Sequence, residues 1–288
     1  MKQYKAVILG SENYHAIGLA KDLLSGYLPN VELIGMYGTD KASNQAMREM
    51  GVPRISENPL AFLDQANLIM ITSRHGDTHL PLARPYMKKG NIIWIDKPLA
   101  IRPEDFAALH REAKEQGCLL WGSSFLPKAK AFAPLKEAVA RPGDLGAFCG
   151  GMIASPVRRE EEFGGFFFYT QHLVEIAIGI FGKDIKSVYT TESDNGYSVI
   201  LRYDGFDICG TYREGSFHYD ACACFEKGSL HGHVSPEDVA TMHRVVLDEI
   251  DDAINRGESP LSLEEMALPF HILHKMYDSM QTKSFQEI

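Results

Sequence analysis

The first 122 residues alternate short, almost wholly apolar runs with stretches of helical spacing. Tyr4–Leu9, Val31–Tyr37, Leu68–Ile71, Asn91–Ile95 and Leu119–Trp121 read as strands. Ala16–Leu24, Lys41–Met50, Leu80–Lys89 and Glu104–Gln116 read as helices. A strand that is apolar on both sides must be covered on both sides. A parallel sheet with crossover helices does this. Right-handed crossovers then give an α/β, doubly wound, Rossmann-type domain. Gly51, Gly90 and Gly117 each follow a helical stretch, where a left-handed cap is expected. Pro103 suits a first helical turn.

Beyond that the texture changes. Ala147–Ala154, Ile185–Thr191, Tyr197–Tyr203, Asp207–Tyr212, Tyr219–Phe225 and Ser229–His233 follow one another as strand candidates. Turn sequences such as Asp194-Asn195-Gly196, Asp204-Gly205 and Lys227-Gly228 join them, and these are hairpin signals. Helices are expected at Leu126–Arg141, Phe167–Phe181, Pro236–Asn255 and Leu263–Met280. The expected plan is a dinucleotide-binding domain over 1–122 and an α+β substrate and oligomerisation domain over 123–288. The second domain carries a large, open, mainly antiparallel sheet.

Charge narrows the class of function. The 288 residues carry 29 Lys and Arg against 38 Asp and Glu, a formal net charge of -9. A nucleic-acid binder needs a basic stripe, and a polybasic membrane-surface protein needs the same sign. Neither partner is expected. No apolar run is long enough to span a bilayer, and the opening MKQYKAVILGSENYHAIG does not read as a signal peptide. Five cysteines without framework spacing suggest reduced thiols in a cytoplasmic protein.

The turn after the first strand reads Gly10-Ser11-Glu12-Asn13-Tyr14-His15, with Gly18 later. A dinucleotide loop wants three glycines, and only Gly10 is in place. Glu12 would bring negative charge to where a diphosphate sits at a helix N-terminus. The second strand ends at Gly38-Thr39-Asp40-Lys41, with Gly38 where an acid for the ribose hydroxyls is expected. Its absence, beside Thr39 and Lys41, leaves room for a 2′-phosphate. The reading therefore leans slightly to NADP over NAD. Trp94-Ile95-Asp96-Lys97-Pro98-Leu99-Ala100 places a carboxylate and a lysine at a parallel strand's C-terminal end, where ligands bind. A lysine there can contact a hydroxyl and move a proton.

With these residues the chain resembles the glucose–fructose oxidoreductase/inositol dehydrogenase/rhizopine-catabolism (Gfo/Idh/MocA) family. Its members typically carry Glu-Lys-Pro-Leu-Ala where this chain has Asp96 to Ala100. Ile71-Thr72-Ser73 and Asp77-Thr78-His79-Leu80 resemble its Thr-Pro-Asn…His segment. Gly164-Gly165 followed by Gln171-His172-Leu173-Val174-Glu175 resembles its Gly-Gly…His helix, and Phe225–Leu230 and Gly257–Pro260 resemble its later turns. The resemblance implies an NAD(P)-dependent oxidoreductase acting on a sugar, polyol or related hydroxylated compound. It implies that Lys97 assists the reacting hydroxyl and that His172 faces the substrate carbon. Thr72, Ser73, His79 and Asp96 would join the loop 10–15 around the cofactor. The family usually has an Asp four residues before the His, where this chain has Phe168. Tyr169 could supply a hydroxyl instead.

Other readings stay open. A non-catalytic ligand-binding protein of the same fold would explain the missing glycines and ribose acid. An assembly partner would use the open sheet face, and a homodimer or homotetramer is expected through it. Arg158-Arg159-Glu160-Glu161-Glu162 is a solvated loop or a flap whose Arg158 or Arg159 meets an anionic substrate. Cys222-Ala223-Cys224 and His231-Gly232-His233 flank a turn that would pair Cys224 with His231 and Cys222 with His233. Residues two apart on a strand lie about 6.6–7 Å apart, which suits packed side chains better than tetrahedral zinc.

Overall fold

A computed structural model describes residues 4–122 and 124–288. The first three residues of the opening segment, and Ser123 at the expected domain boundary, lie outside them. The chain forms two compact units. The first takes in Met1–Ser123, Glu162–Gly164 and His243–Leu263; the second takes in Ser124–Glu161, Gly165–Met242 and Glu264–Ile288.

The first unit is built on six strands: β1 (Tyr4–Leu9), β2 (Val31–Tyr37), β3 (Ile55–Ser56), β4 (Leu68–Ile71), β5 (Ile92–Ile95) and β6 (Leu119–Gly122). They lie in the order β3-β2-β1-β4-β5-β6, all parallel. This is a doubly wound sheet, reversing direction between β1 and β4. Every residue of β4 and β5 is buried, as continuous apolar strands require. The helices are α1 (Tyr14–Leu24), α2 (Lys41–Met50), α3 (His79–Ala83) and α4 (Pro103–Gln116). Gly51 and Gly117 cap α2 and α4 in the left-handed conformation.

Leu80–Lys89 is not one helix. Only α3 is α-helical, and Arg84–Tyr86 tightens into a 3₁₀ turn. Pro85 lacks an N–H and its ring would collide with the carbonyl four residues back. The two-residue β3 carries too short a pattern to be read from sequence.

The second unit holds a seven-stranded sheet. Its strands are β7 (Phe148–Pro156), β8 (Ser187–Ser193), β9 (Gly196–Arg202), β10 (Asp207–Arg213), β11 (Asp220–Phe225), β12 (Gly228–His233) and β13 (Gln286–Glu287). Their order is β12-β11-β7-β10-β9-β8-β13. Pairing is antiparallel except between β10 and β7, so the sheet is mixed. The expected Leu126–Arg141 helix is shorter. Two 3₁₀ turns come first, with Pro127 in the earlier one, and α5 spans Ala133–Ala140 with Pro134 in its first turn. α6 (Phe166–Phe181) packs on β7 and β10, burying Leu173, Val174, Ile176 and Ala177. Gly151 and Gly210 face it, and a Cβ on either would strike Phe181 or Leu173.

Pro236–Asn255 also divides. α7 (Pro236–Thr241) belongs to the second unit, whereas α8 (His243–Arg256) packs on α1 in the first. α9 (Leu263–Thr282) follows.

The hairpin of β11 and β12 has a different register from the expected one. Cys222 pairs with His231, Cys224 with Ser229 and Asp220 with His233. Phe225 faces Gly228, so the turn residues are Glu226 and Lys227, and every pair shifts by two. All five cysteines are free. Among the described residues no group of three or more His, Cys, Asp or Glu is placed to hold a metal ion. Nor is any helix among them long and apolar enough to cross a membrane.

Candidate active-site elements in the two units

In the first unit, the loop between β1 and α1 meets the ends of β4 and β5. Gly10 has φ +124°, and a Cβ there would lie 2.3 Å from the Ser73 nitrogen. Glycine is required both by the backbone angle and by the close passage of the next loop. Asn13 caps α1, its Oδ1 accepting the His15 N–H at 3.0 Å. Its side-chain amide donates to the Thr72 carbonyl at 2.9 Å and to Asp96 Oδ2 at 3.1 Å. Thr72 in turn donates its hydroxyl to the Gly10 carbonyl at 2.7 Å. Asn13 therefore fixes the start of α1 to two strand ends at once.

Asp96 is the centre of this network. It is 0% exposed, and Lys97 beside it is only 3% exposed. Its Oδ1 accepts the Lys97 N–H at 2.9 Å, and its Oδ2 lies 2.6 Å from His15 Nδ1. Burial opposes the charge on Asp96. His15, by charge and hydrogen bond, together with Lys97, overcomes that and holds its carboxyl below the ordinary value.

Counted from Gly10, the fingerprint's second and third glycines fall at Glu12 and His15. Both side chains bond other loops of the first unit. The Glu12 carboxylate accepts the Arg74 N–H at 3.3 Å, and His15 turns inward to Asp96. His243 on α8 completes the packing. Gly18 has no side chain, and a Cβ there would fall 2.0 Å from the His243 ring nitrogen Nδ1. The ring stands edge-on to His15 at 5.8 Å, and burial pushes its pKa down to about 4.

At the end of β2, Gly38 has no room for an acid. A Cβ would lie 1.8 Å from Ser11 Oγ, which itself donates to Asn44 Oδ1 at 2.8 Å. Thr39 follows, and Asp40 caps α2. Hydrogen bonds from Ser43, with Arg74 nearby, hold the Asp40 carboxyl below its usual range. Arg74 also lies over the Phe163 ring at 4.9 Å. No spacing in the sequence points to Arg74 or His243. Tyr14 is exposed. Ser73 bonds Thr78 at 2.7 Å. His79 is wholly buried, with Nε2 2.7 Å from the Ser73 carbonyl and Nδ1 3.2 Å from that of Leu99. It braces the loop from inside, and burial lowers its pKa.

The second unit places His172 on α6, one turn beyond Phe168 and three residues from Tyr169. Tyr169 stands edge-on to it at 5.5 Å and Tyr219 at 5.4 Å. Ser124 Oγ is 3.4 Å from its Nδ1. The Phe168 ring is buried and packs edge-on to Tyr169 at 4.8 Å. Burial raises the Tyr219 phenol well above its usual pKa, with Tyr169 adding to the shift. Tyr219 is therefore a neutral donor near pH 7. Tyr219 immediately precedes β11 and has no sequence spacing that ties it to His172.

The two arginines of the 158–162 segment differ. Arg159 is bound to Glu214 at 2.7 Å, to Glu192 at 3.4 Å and to the Asp194 carbonyl at 2.7 Å. Its charge is taken up by the strand ends. Arg158 lies over the exposed Phe217 ring at 5.6 Å.

Residues 6–123 match the Gfo/Idh/MocA family model, described as an oxidoreductase family with an NAD-binding Rossmann fold. Over 202 residues the chain is 27% identical to scyllo-inositol 2-dehydrogenase (NAD(+)) of Bacillus subtilis. That match covers 65% of this chain and 56% of the relative, a little more than half its length. Among solved structures, myo-inositol 2-dehydrogenase from Lactobacillus plantarum superposes with a TM-score of 0.84 at 14% identity, covering 100% of both chains. GenD2 from gentamicin A biosynthesis, solved in complex with NAD, gives 0.84 at 16% identity, covering 100% of this chain and 97% of that one. Scyllo-inositol dehydrogenase from Lactobacillus casei, with NAD(H) and scyllo-inositol bound, gives 0.79 at 13% identity over 99% of each. At these identities the structural likeness is one of fold.

Proposed function

We propose that the chain, whose residues 6–123 match the Gfo/Idh/MocA model of NAD-binding oxidoreductases, belongs to that family and transfers hydride between a nicotinamide cofactor and a hydroxyl or carbonyl of a sugar, polyol or related compound. The observation that carries this reading is the buried Asp96–Lys97 strand end, tied to the Gly10–His15 loop through Asn13 and His15. A bound nicotinamide would supply the hydride chemistry. Gly10, Ser11, the backbone of residues 12–15, Gly38, Thr39, Thr72 and Ser73 are the residues proposed to hold it. Lys97 would accept the hydroxyl proton as the carbon–hydrogen bond breaks, and return it in the reverse direction. His172, with Tyr169 and Tyr219 beside it, would hydrogen-bond the substrate oxygens. The inositol dehydrogenases among its relatives make a cyclic polyol the first substrate to try.

For the cofactor we propose NAD(P) with a slight preference for NADP, resting on the missing acid at Gly38 and the nearby Lys41 and Arg74. Titration with NAD(H) and NADP(H) should raise the melting temperature. Turnover of an inositol, lost by about 100-fold or more in Lys97→Ala, is the expected outcome. A melting temperature that neither nucleotide moves at millimolar concentration would overturn the reading. It would favour a ligand-binding protein that has lost its cofactor.

The same proposal includes self-association through the sheet of the second unit. Along one face run His231, Cys222, Met152, Cys209, Ile200 and Tyr189, partners in successive strand registers. Met152 is 53% exposed there. An apolar and thiol-bearing face of this kind favours a second copy. Sedimentation should give a dimer or tetramer at micromolar concentration, and a monomer would exclude it.

A further inference from the structure

His15 stands where the dinucleotide fingerprint has its third glycine, and Asp96 stands where the family typically has a glutamate. The two departures touch. His15 Nδ1 lies 2.6 Å from Asp96 Oδ2, with His15 8% exposed and Asp96 wholly buried. An ionised carboxylate offers acceptors only, so Nδ1 must carry the proton in this bond. The other oxygen of Asp96 receives the backbone N–H of Lys97 at 2.9 Å. A single carboxylate therefore joins the helix that opens the nucleotide loop to the residue proposed to move the substrate proton. Aspartate is one methylene shorter than glutamate, and an imidazole supplies reach from the other side.

We propose that His15 is a positioning residue for Lys97, acting through Asp96, and that histidine at 15 and aspartate at 96 are coupled replacements. The role of Lys97 rests on the function proposed above. Removing the imidazole would strip Asp96 Oδ2, a buried carboxylate oxygen, of its shorter hydrogen bond and leave it the Asn13 amide at 3.1 Å. The strand end would relax, and the lysine would be misplaced without leaving the protein.

The consequence differs from that of a residue that only supports folding. His15→Ala should lower kcat for an inositol by about 10- to 100-fold, the scale of a small misplacement, with KM changed by less than about threefold. His15→Asn keeps an N–H donor near the place of Nδ1 and should recover most of the loss. Asp96→Glu alone crowds the imidazole and should be impaired. The double variant His15→Gly/Asp96→Glu should be better than either single variant, a coupling that independent sites do not show.

A readout independent of turnover is the labelling of Lys97 by an amine-reactive ester, followed by mass spectrometry on cofactor-free protein. Lys97 is 3% exposed. Its labelling should rise about fivefold in His15→Ala, as local opening becomes easier, and fall back in His15→Asn. Circular dichroism and melting establish that each variant is folded. If His15→Ala does not fold, His15→Ser and the double variant carry the comparison. Wild-type kcat and labelling in the folded variants overturn the proposal, as does strict additivity in the double variant. A wild type that turns over no polyol, with the labelling pattern as expected, overturns the proposed function and leaves the positioning role standing.

Discussion

The two units hold their candidate residues by opposite means. In the first, the buried groups are polar and cross-linked: Asn13, His15, Thr72 and Asp96 each bond an element distant in the chain. In the second, His172 is set among rings, with Phe168, Tyr169 and Tyr219 around it. A polar network fixes positions closely, and this one depends on Asp96 staying ionised. An aromatic surround tolerates shifts in position, and burial holds the Tyr219 phenol neutral over a wide pH range. The first unit should therefore be the acid-sensitive one.

The largest test of this contrast is pH. His243 has a folded pKa of about 4 against an ordinary 6.5, chiefly through burial. Its pKa is depressed, so between those values the unfolded chain binds the extra proton and the folded one does not. Stability is complete above about 6.5 and falls as pH drops towards 4. The full effect is about 3 kcal/mol for this one residue. His110, also near 4, adds in the same direction. Asp96 is depressed below its ordinary 3.8, so its contribution is lost only below that value. The tyrosines Tyr203, Tyr212 and Tyr219 of the second unit are raised by burial. Their contribution is intact below pH 10 and lost as pH rises through the folded values. Hydrogen exchange at pH 4.5 should show peptides of α1 and α8 losing protection before those of β9 and β10. Equal loss in both would break the contrast.

The legible and illegible parts of the molecule divide by distance along the chain. β1, β2, α2 and β4 have the bounds that their apolar pattern implies, because local periodicity determines them. Asp96 and Lys97 were recognisable as a strand end for the same reason. The three prolines that shorten helices, Pro85, Pro127 and Pro134, act locally, but the apolar spacing runs through them and hides the break. The hairpin register depended on which two residues make the turn, a choice between adjacent pairs. The bond of His15 to Asp96 crosses 81 positions, and nothing in either segment announces it. The same holds for Tyr219 against His172, and for the split of α7 from α8. In the last case the sequence reads as one helix, while the packing of His243 against α1 assigns its second part to the first unit.

That packing gives a smaller and sharper test. Gly18 lies inside α1, where glycine costs about 1 kcal/mol against alanine by backbone entropy alone. At an ordinary helix position Gly18→Ala should therefore stabilise. Here the added Cβ would fall 2.0 Å from Nδ1 and 2.2 Å from Cε1 of a ring that is 2% exposed. Either the ring or the helix must move, and crowding of this kind costs about 1–3 kcal/mol. Chemical denaturation should show net destabilisation. In a His243→Ala background the obstacle is gone, and Gly18→Ala should become neutral or stabilising. The sign reversal is the measurement that matters, because it separates a polar-lined interlock from mere loss of a flexible glycine. If Gly18→Ala stabilises both backgrounds, the histidine does not occupy the glycine's place, and the first unit is less tightly interlocked than its bonds imply.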